Sequence, residues 1–213
     1  MTGQLTPDIL LSAYRAGIFP MAESATHKNI FWVDPKYRGI MPLKKFHVSK
    51  SLSRAIMKLD YQISVNTSFD KVIKMCAERP ETWINREIIT NYCLLYHKGH
   101  AHCLEVWNNE KLIGGIYGVS IGAVFFGESM FSKKSNASKI ALAYLVNRLK
   151  ETGFKLFDTQ FLTPHLASLG AIEIPKTEYK ILLFKAVEEV ANFCASSYSP
   201  DVSAIAQRRA QTS

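Results

Sequence analysis

Glu128 stands among Phe125, Phe126, Met130 and Phe131, a run that reads as the inside of a sheet. An ionised carboxylate there is costly without a partner. In "FDTQF" the alternation of side chains puts Asp158 and Gln160 on one side of a strand and Phe157, Thr159 and Phe161 on the other. Two polar residues with a face to themselves fit a reaction site; spacing alone fits a solvent-facing edge pair as well. Carboxylates gathered in one pocket can grip an ammonium ion or take a proton from an amine. His97, His100 and His102 invite a metal, but their spacing departs from zinc sites and no thiolate pair accompanies them, so no metal is expected. Cys76, Cys93, Cys103 and Cys194 are scattered, with no CxxC pair, which predicts free thiols in a reducing cytoplasm.

The formal net charge of +8 favours a polyanionic partner, nucleic acid or an anionic membrane. It is concentrated: Lys36, Arg38, Lys44, Lys45, Lys50, Arg54 and Lys58 fall in a stretch with no Asp or Glu. Lys50, Arg54 and Lys58 recur every four residues, one face of a helix. Trp83 offers a flat ring that could stack on a base. No segment has the ~18 consecutive apolar residues of a membrane span, and "MTGQLTPDIL" has no basic and apolar leader pattern. The expectation is a cytoplasmic chain without a membrane partner, with nothing demanding more than a monomer.

The elements that must hold these residues follow from caps and periodicity. Thr6, Pro7 and Gly17 bound a first helix. Short strands and turns are expected in "HKNIFWVDPKYRGIMP", then a helix in "SKSLSRAIMKL", a strand in "YQISVN", and helices near 68–78 and 85–98. Three meander strands run through "AHCLEVWN", "LIGGIYGVS" and "AVFFGESMF". A helix over 136–152 is followed by the strand "FKLFDTQF", a short helix opened by Thr163 and Pro164, the strand "AIEIP" and a last helix from Thr177. The tail after about residue 196 lacks periodicity and is expected to be mobile.

This order is α+β and resembles the acyl-CoA N-acyltransferase (GNAT) fold, here 44–213 behind a small N-terminal α/β domain over 1–43. That fold usually cradles CoA pyrophosphate on a Gly-rich loop. The corresponding loop here, "SKKSNASK", has no glycine. Ser135 or Asn136 can cap the following helix, and the same helix end with Lys133 and Lys134 suits an RNA phosphate.

The segments "LLSAYRAGIFPM", "WVDPKYRGIMPL", "FHVSKSLSRA", "TWINREIITNYCLLYHKGHAH", "GGIYGVSIGAVFFGESMFS", "NASK" and "DTQFLTPHLASLGAIEIP" together resemble the leucyl/phenylalanyl-tRNA–protein transferase family. The resemblance implies an aminoacyltransferase that moves Leu or Phe, and less readily Met, from aminoacyl-tRNA to the N-terminal Arg or Lys of acceptor proteins, marking them for N-end rule degradation. It implies no cofactor, with Leu-tRNA and Phe-tRNA as donors. By position in the motifs it implies Asp158 as general base, Gln160 as the group that relays charge or orients the amine, and Glu128 as the pocket carboxylate. An apolar slot for the donor side chain is implied at Ile116, Phe125, Leu142, Leu145, Leu149 and Phe157, with Trp83 shaping the terminal-adenosine end. Lys50 and Arg54 match tRNA-binding positions, while the family's third basic position falls on Met57 with Lys58 beside it. Residues alone leave two alternatives open: an acyltransferase using acyl-CoA, and a non-catalytic tRNA-binding module.

Overall fold

The computed structural model describes residues 5–207. Helix α1 (Pro7–Arg15) opens on Thr6, whose Oγ1 accepts from the Ile9 amide. A two-stranded hairpin follows, β1 (Phe19–Ala22) with β2 (Ile30–Val33). The strand at "FPMA" was not expected, since four residues with a central Pro give no alternation to read. Next come β3 (Tyr37–Ile40), α2 (Lys50–Met57) capped by Ser49, β4 (Gln62–Val65), α3 (Phe69–Ala77) and α4 (Arg86–His97) capped by Asn85. The meander is β5 (Ala101–Asn108), β6 (Lys111–Ile121) and β7 (Val124–Ser132). Helix α5 (Ala137–Glu151), β8 (Leu156–Gln160), α6 (Pro164–Ala167) capped by Thr163, β9 (Ile172–Pro175) and α7 (Lys176–Val187) complete the expected series.

Seven strands form one sheet in the order β4-β5-β6-β7-β8-β3-β9. Every neighbouring pair is antiparallel except β7 and β8, which are joined by a crossover through α5. Strand β3 enters this sheet between β8 and β9, so residues 37–40 on the N-terminal side of a boundary at 43 are hydrogen bonded into the large sheet.

The sheet separates two apolar cores. One is shared by α1, α3, α4 and α7 through Leu10, Tyr14, Val72, Ile88, Tyr92, Tyr179 and Leu183. The other is shared by α2, α5 and C-terminal α8 (Val202–Ala206) through Leu52, Ile56, Leu142, Leu145, Leu149 and Ile205. Full burial of each such leucine is worth about 1.5–3 kcal/mol. Helix α8 lies within the tail in which no periodicity is read. Asp201 caps it, Ile205 and Ala206 are buried, and the Tyr198 hydroxyl donates to Asn147 Oδ1 at 2.6 Å. A helix this short shows too little periodicity to be read locally, and its stability comes from the core it covers. The rest of the expected tail, 208–213, lies outside the described residues.

Candidate active site

The β7–β8 ladder pairs Val124 with Leu156, Phe125 with Phe157 and Phe126 with Asp158, and then ends. Both strands carry a bulge just beyond that point. On β7, Tyr117 faces Ser129 and Gly118 faces Gly127, leaving Glu128 as the extra residue. On β8, Gly39 faces Gln160 and Ile40 faces Asp158, leaving Thr159 as the extra residue. A bulge bends its strand and re-aims side chains. Here the parallel strands part, and an open cavity of about 540 Å³ lies between them, lined at its base by Glu128, Ser129, Met130, Thr159 and Gln160.

Glycines opposite the bulges make room for them. A Cβ on Gly118 would lie 2.2 Å from the Phe126 carbonyl oxygen, and one on Gly39 would lie 2.6 Å from Phe161 backbone. Gln160 itself has φ +64°, and the Phe161 amide donates to the Thr159 carbonyl across it at 2.7 Å. A three-residue turn of this kind is rare for a non-glycine residue and is held by its surroundings.

Glu128 is buried and fully engaged. The Tyr14 hydroxyl donates to Oε1 at 2.6 Å, Gln160 Nε2 donates to the same oxygen at 3.0 Å, and the Tyr92 hydroxyl donates to Oε2 at 3.1 Å. The two tyrosine hydroxyls also hydrogen-bond each other. Glu128 is thus enclosed by neutral donors and almost cut off from solvent. Burial accordingly raises Glu128 from an ordinary 4.5 to about 7, against the lowering effect of the Tyr14, Gln160 and Tyr92 hydrogen bonds.

Asp158 has no exposed surface, and it does not line the cavity with Gln160. Arg38 grips it through both Nε and Nη2, the shortest contact 2.6 Å, while Tyr179 donates at 2.7 Å and the Gln160 amide at 2.8 Å. Arg38 is in turn held between the Phe19 and Tyr179 rings, each 4.6 Å away, and donates to the Gly17 carbonyl. Burial opposes its charge, and Asp158 more than offsets that, holding the guanidinium above its usual range. The simple alternation expected for "FDTQF" is broken at Thr159: Thr159 and Phe161, expected to point away from Gln160, line the same cavity.

The six apolar residues expected around the donor side chain, Ile116, Phe125, Leu142, Leu145, Leu149 and Phe157, come together in the α5 core. They are closed off from the cavity, which none of them lines; half-buried Met130 both packs on that core and lines the cavity. Trp83 does line it. Lys50 and Arg54 are exposed on α2 and Lys58 is exposed at its C-terminal cap, the first two beside a second cavity walled by Ala206 and Gln207 of the C-terminal segment. Arg38 leaves the expected basic patch for the core. Asn136 occupies the cap position of α5 with φ +67° and no side-chain cap bond; Ser132 Oγ instead accepts from the Ser138 amide. Both loop lysines are tethered, Lys133 to Glu78 and Lys134 to Asn108. His102 is occupied by Asn66 and Ser120, stacks on Phe193, and is lowered to about 4 by burial. Among the described residues no three potential metal ligands gather, and no helix is long and apolar enough to cross a membrane.

The sequence reading missed Arg38, Tyr14, Tyr92 and Tyr179. The partners of Glu128 and Asp158 lie far along the chain, and the only signal was that a carboxylate in an apolar run needs donors.

Residues 40–184 match the family model described as leucyl/phenylalanyl-tRNA protein transferase, and residues 3–36 match the model for its N-terminal domain. A protein of Ruegeria pomeroyi named leucyl/phenylalanyl-tRNA–protein transferase is 56% identical over 98% of this chain and 99% of its own. One of Cereibacter sphaeroides with the same name is 54% identical over 98% of both. Among solved structures, FemX aligns with a TM-score of 0.51 at 12% identity, covering 79% of this chain and 66% of that one, a likeness of fold.

Proposed function

The chain belongs to the leucyl/phenylalanyl-tRNA–protein transferase family and is an aminoacyltransferase, and on that premise we propose that it moves Leu or Phe, and less readily Met, from charged tRNA to proteins that begin with Arg or Lys. The products would carry a bulky apolar N-terminus and enter N-end rule degradation, in the cytoplasm, with a monomer carrying out the transfer. We read the sheet with its parted parallel strands as a GNAT-like architecture.

The observation that carries this reading is the Gln160–Glu128 pair at the base of the parted strands, 3.0 Å apart. The aminoacyl ester is already activated, so positioning and proton removal are what the site must supply. Gln160, fixed through its NH₂ group to Glu128, turns its Oε1 to an N–H of the acceptor amine. Glu128, when ionised, takes the proton of the incoming ammonium. An α-ammonium has a pKa of about 7.7–8.0 and Glu128 one of about 7, so the transfer is nearly balanced. The amine nitrogen then bonds to the ester carbon and gives up a second proton, the bond to the ribose oxygen breaks, and that oxygen takes up this proton and leaves as the hydroxyl. Asp158 acts through others: paired with Arg38 and Tyr179, it fixes the Gln160 backbone.

The donor side chain would meet Met130 and, behind it, the apolar face of Ile116, Phe125, Leu142, Leu145, Leu149 and Phe157, with Trp83 beside the terminal adenosine. Lys50, Arg54 and Lys58 would contact tRNA phosphates. The test is transfer of radiolabelled Phe or Leu from charged tRNA to a peptide beginning with Arg, against one beginning with Asp. Label on the Arg peptide alone is expected; no label, or equal label on both, overturns the reading.

A further inference from the structure

An acceptor beginning with Arg or Lys brings two cations, its α-ammonium and its side chain, and the cavity lining holds two carboxylates. Glu128 is at the base; Glu78 is at the exposed edge, its side chain 58% accessible. We propose that Glu78 reads the charged side chain of the acceptor's first residue, and that Lys133 is its built-in occupant until the acceptor displaces it. This deepens the transferase reading and rests on it.

Lys133 Nζ lies 3.0 Å from Glu78 Oε2, so an ammonium already sits on this carboxylate within the cavity. Both residues are anchored by backbone. The Lys133 amide donates to the Ile113 carbonyl at 2.7 Å, and the Glu78 amide closes the end of α3 on the Lys74 carbonyl at 3.1 Å. Neighbouring Arg79 ties that helix end to β7 by donating to the Met130 carbonyl. Glu78 therefore stands at the C-terminus of α3, where the helix dipole disfavours a lone carboxylate and favours a cation beside it. A half-exposed lysine supplies that cation in the free protein, and an incoming Arg or Lys can replace it like for like. The cations of the same lining, Arg79 and Lys133, disfavour an acidic first residue, which is the other half of a charge-based choice.

The two partners should respond with opposite signs. At saturating charged tRNA, Glu78→Gln should raise KM for an Arg-starting peptide roughly tenfold, as expected for losing a charged hydrogen-bond partner, with kcat and tRNA affinity unchanged. Lys133→Met should lower that KM by removing the competitor. A peptide beginning with citrulline, arginine's uncharged isostere, should be a poorer acceptor than the Arg peptide for the wild type and its equal for Glu78→Gln. An unchanged KM and Arg-to-citrulline ratio in Glu78→Gln, or a raised KM in Lys133→Met, overturns the proposal while leaving the transferase reading intact. A wild-type protein that labels no peptide overturns both.

Discussion

At the scale of single residues, two carboxylates that look alike in the sequence have opposite environments. Asp158 is surrounded by donors, with a guanidinium on both oxygens; Glu128 is surrounded by neutral ones and is pushed up to about 7 by burial. Asp158→Ala therefore leaves Arg38 charged and unpaired in the core. We expect it to cost about 3–5 kcal/mol of stability, read as a lowered urea midpoint, together with lost transfer. Lost transfer at an unchanged midpoint would return Asp158 to the chemistry itself. Tyr14→Phe removes a donor that favours the ionised Glu128, so the pH at which Glu128 titrates should rise, visible as an upward shift in the acidic limb of the transfer rate. Linkage runs the same way. Between about 4.5 and 7 folded Glu128 holds a proton that the unfolded chain releases, so stability falls as pH rises through that window. Glu128→Gln should remove that slope. None of these environments was legible in sequence. Arg38 counted as part of a basic stretch because its partner is 120 positions away, and Tyr14 and Tyr92 looked like ordinary core aromatics.

At the scale of elements, the helices were legible because their signals are local. Thr6, Ser49, Asn85 and Thr163 each cap a helix through their own side chain. The bulges were not legible, because each is defined against a partner strand: Glu128 is extra only relative to Tyr117 and Gly118, and Thr159 only relative to Gly39 and Ile40. Yet the bulges make the site, since they part β7 from β8 and break the alternation that "FDTQF" suggests. Gly118→Ala tests this. Its new Cβ would meet the Phe126 carbonyl backbone at 2.2 Å, which cannot be relieved by a side-chain rotation. A destabilisation above about 2 kcal/mol is expected, with transfer reduced by more than the fall in folded protein explains. An active variant of wild-type stability would show that the bulge is dispensable. The loop before α5 follows the same logic. Its missing glycine was legible, but not that Asn136 would take a left-handed backbone there and pass the capping task to Ser132.

At the scale of the whole molecule, one sheet divides two cores, and the proposed reacting groups, Glu128 and Gln160, sit where the one parallel pair among the described residues opens. The charge excess was legible as a patch, and α2 and its C-terminal cap do expose Lys50, Arg54 and Lys58. Replacing Lys50 or Arg54 with Ala should reduce the slope of log affinity against log salt for tRNA by about 0.9 for each phosphate the protein no longer neutralises. An unchanged slope would take α2 out of the RNA footprint. In the proposed reaction Glu128, in contact with Gln160, carries the acceptor's proton in this cleft. Its most direct measurement is the single-turnover rate of Phe transfer from charged tRNA to an Arg-starting peptide as a function of pH, for the wild type and Glu128→Gln. The wild-type rate should fall as pH drops through about 7, and the Glu128→Gln rate should be low and lack that limb. A limb of the same position and depth in both proteins would contradict the claim.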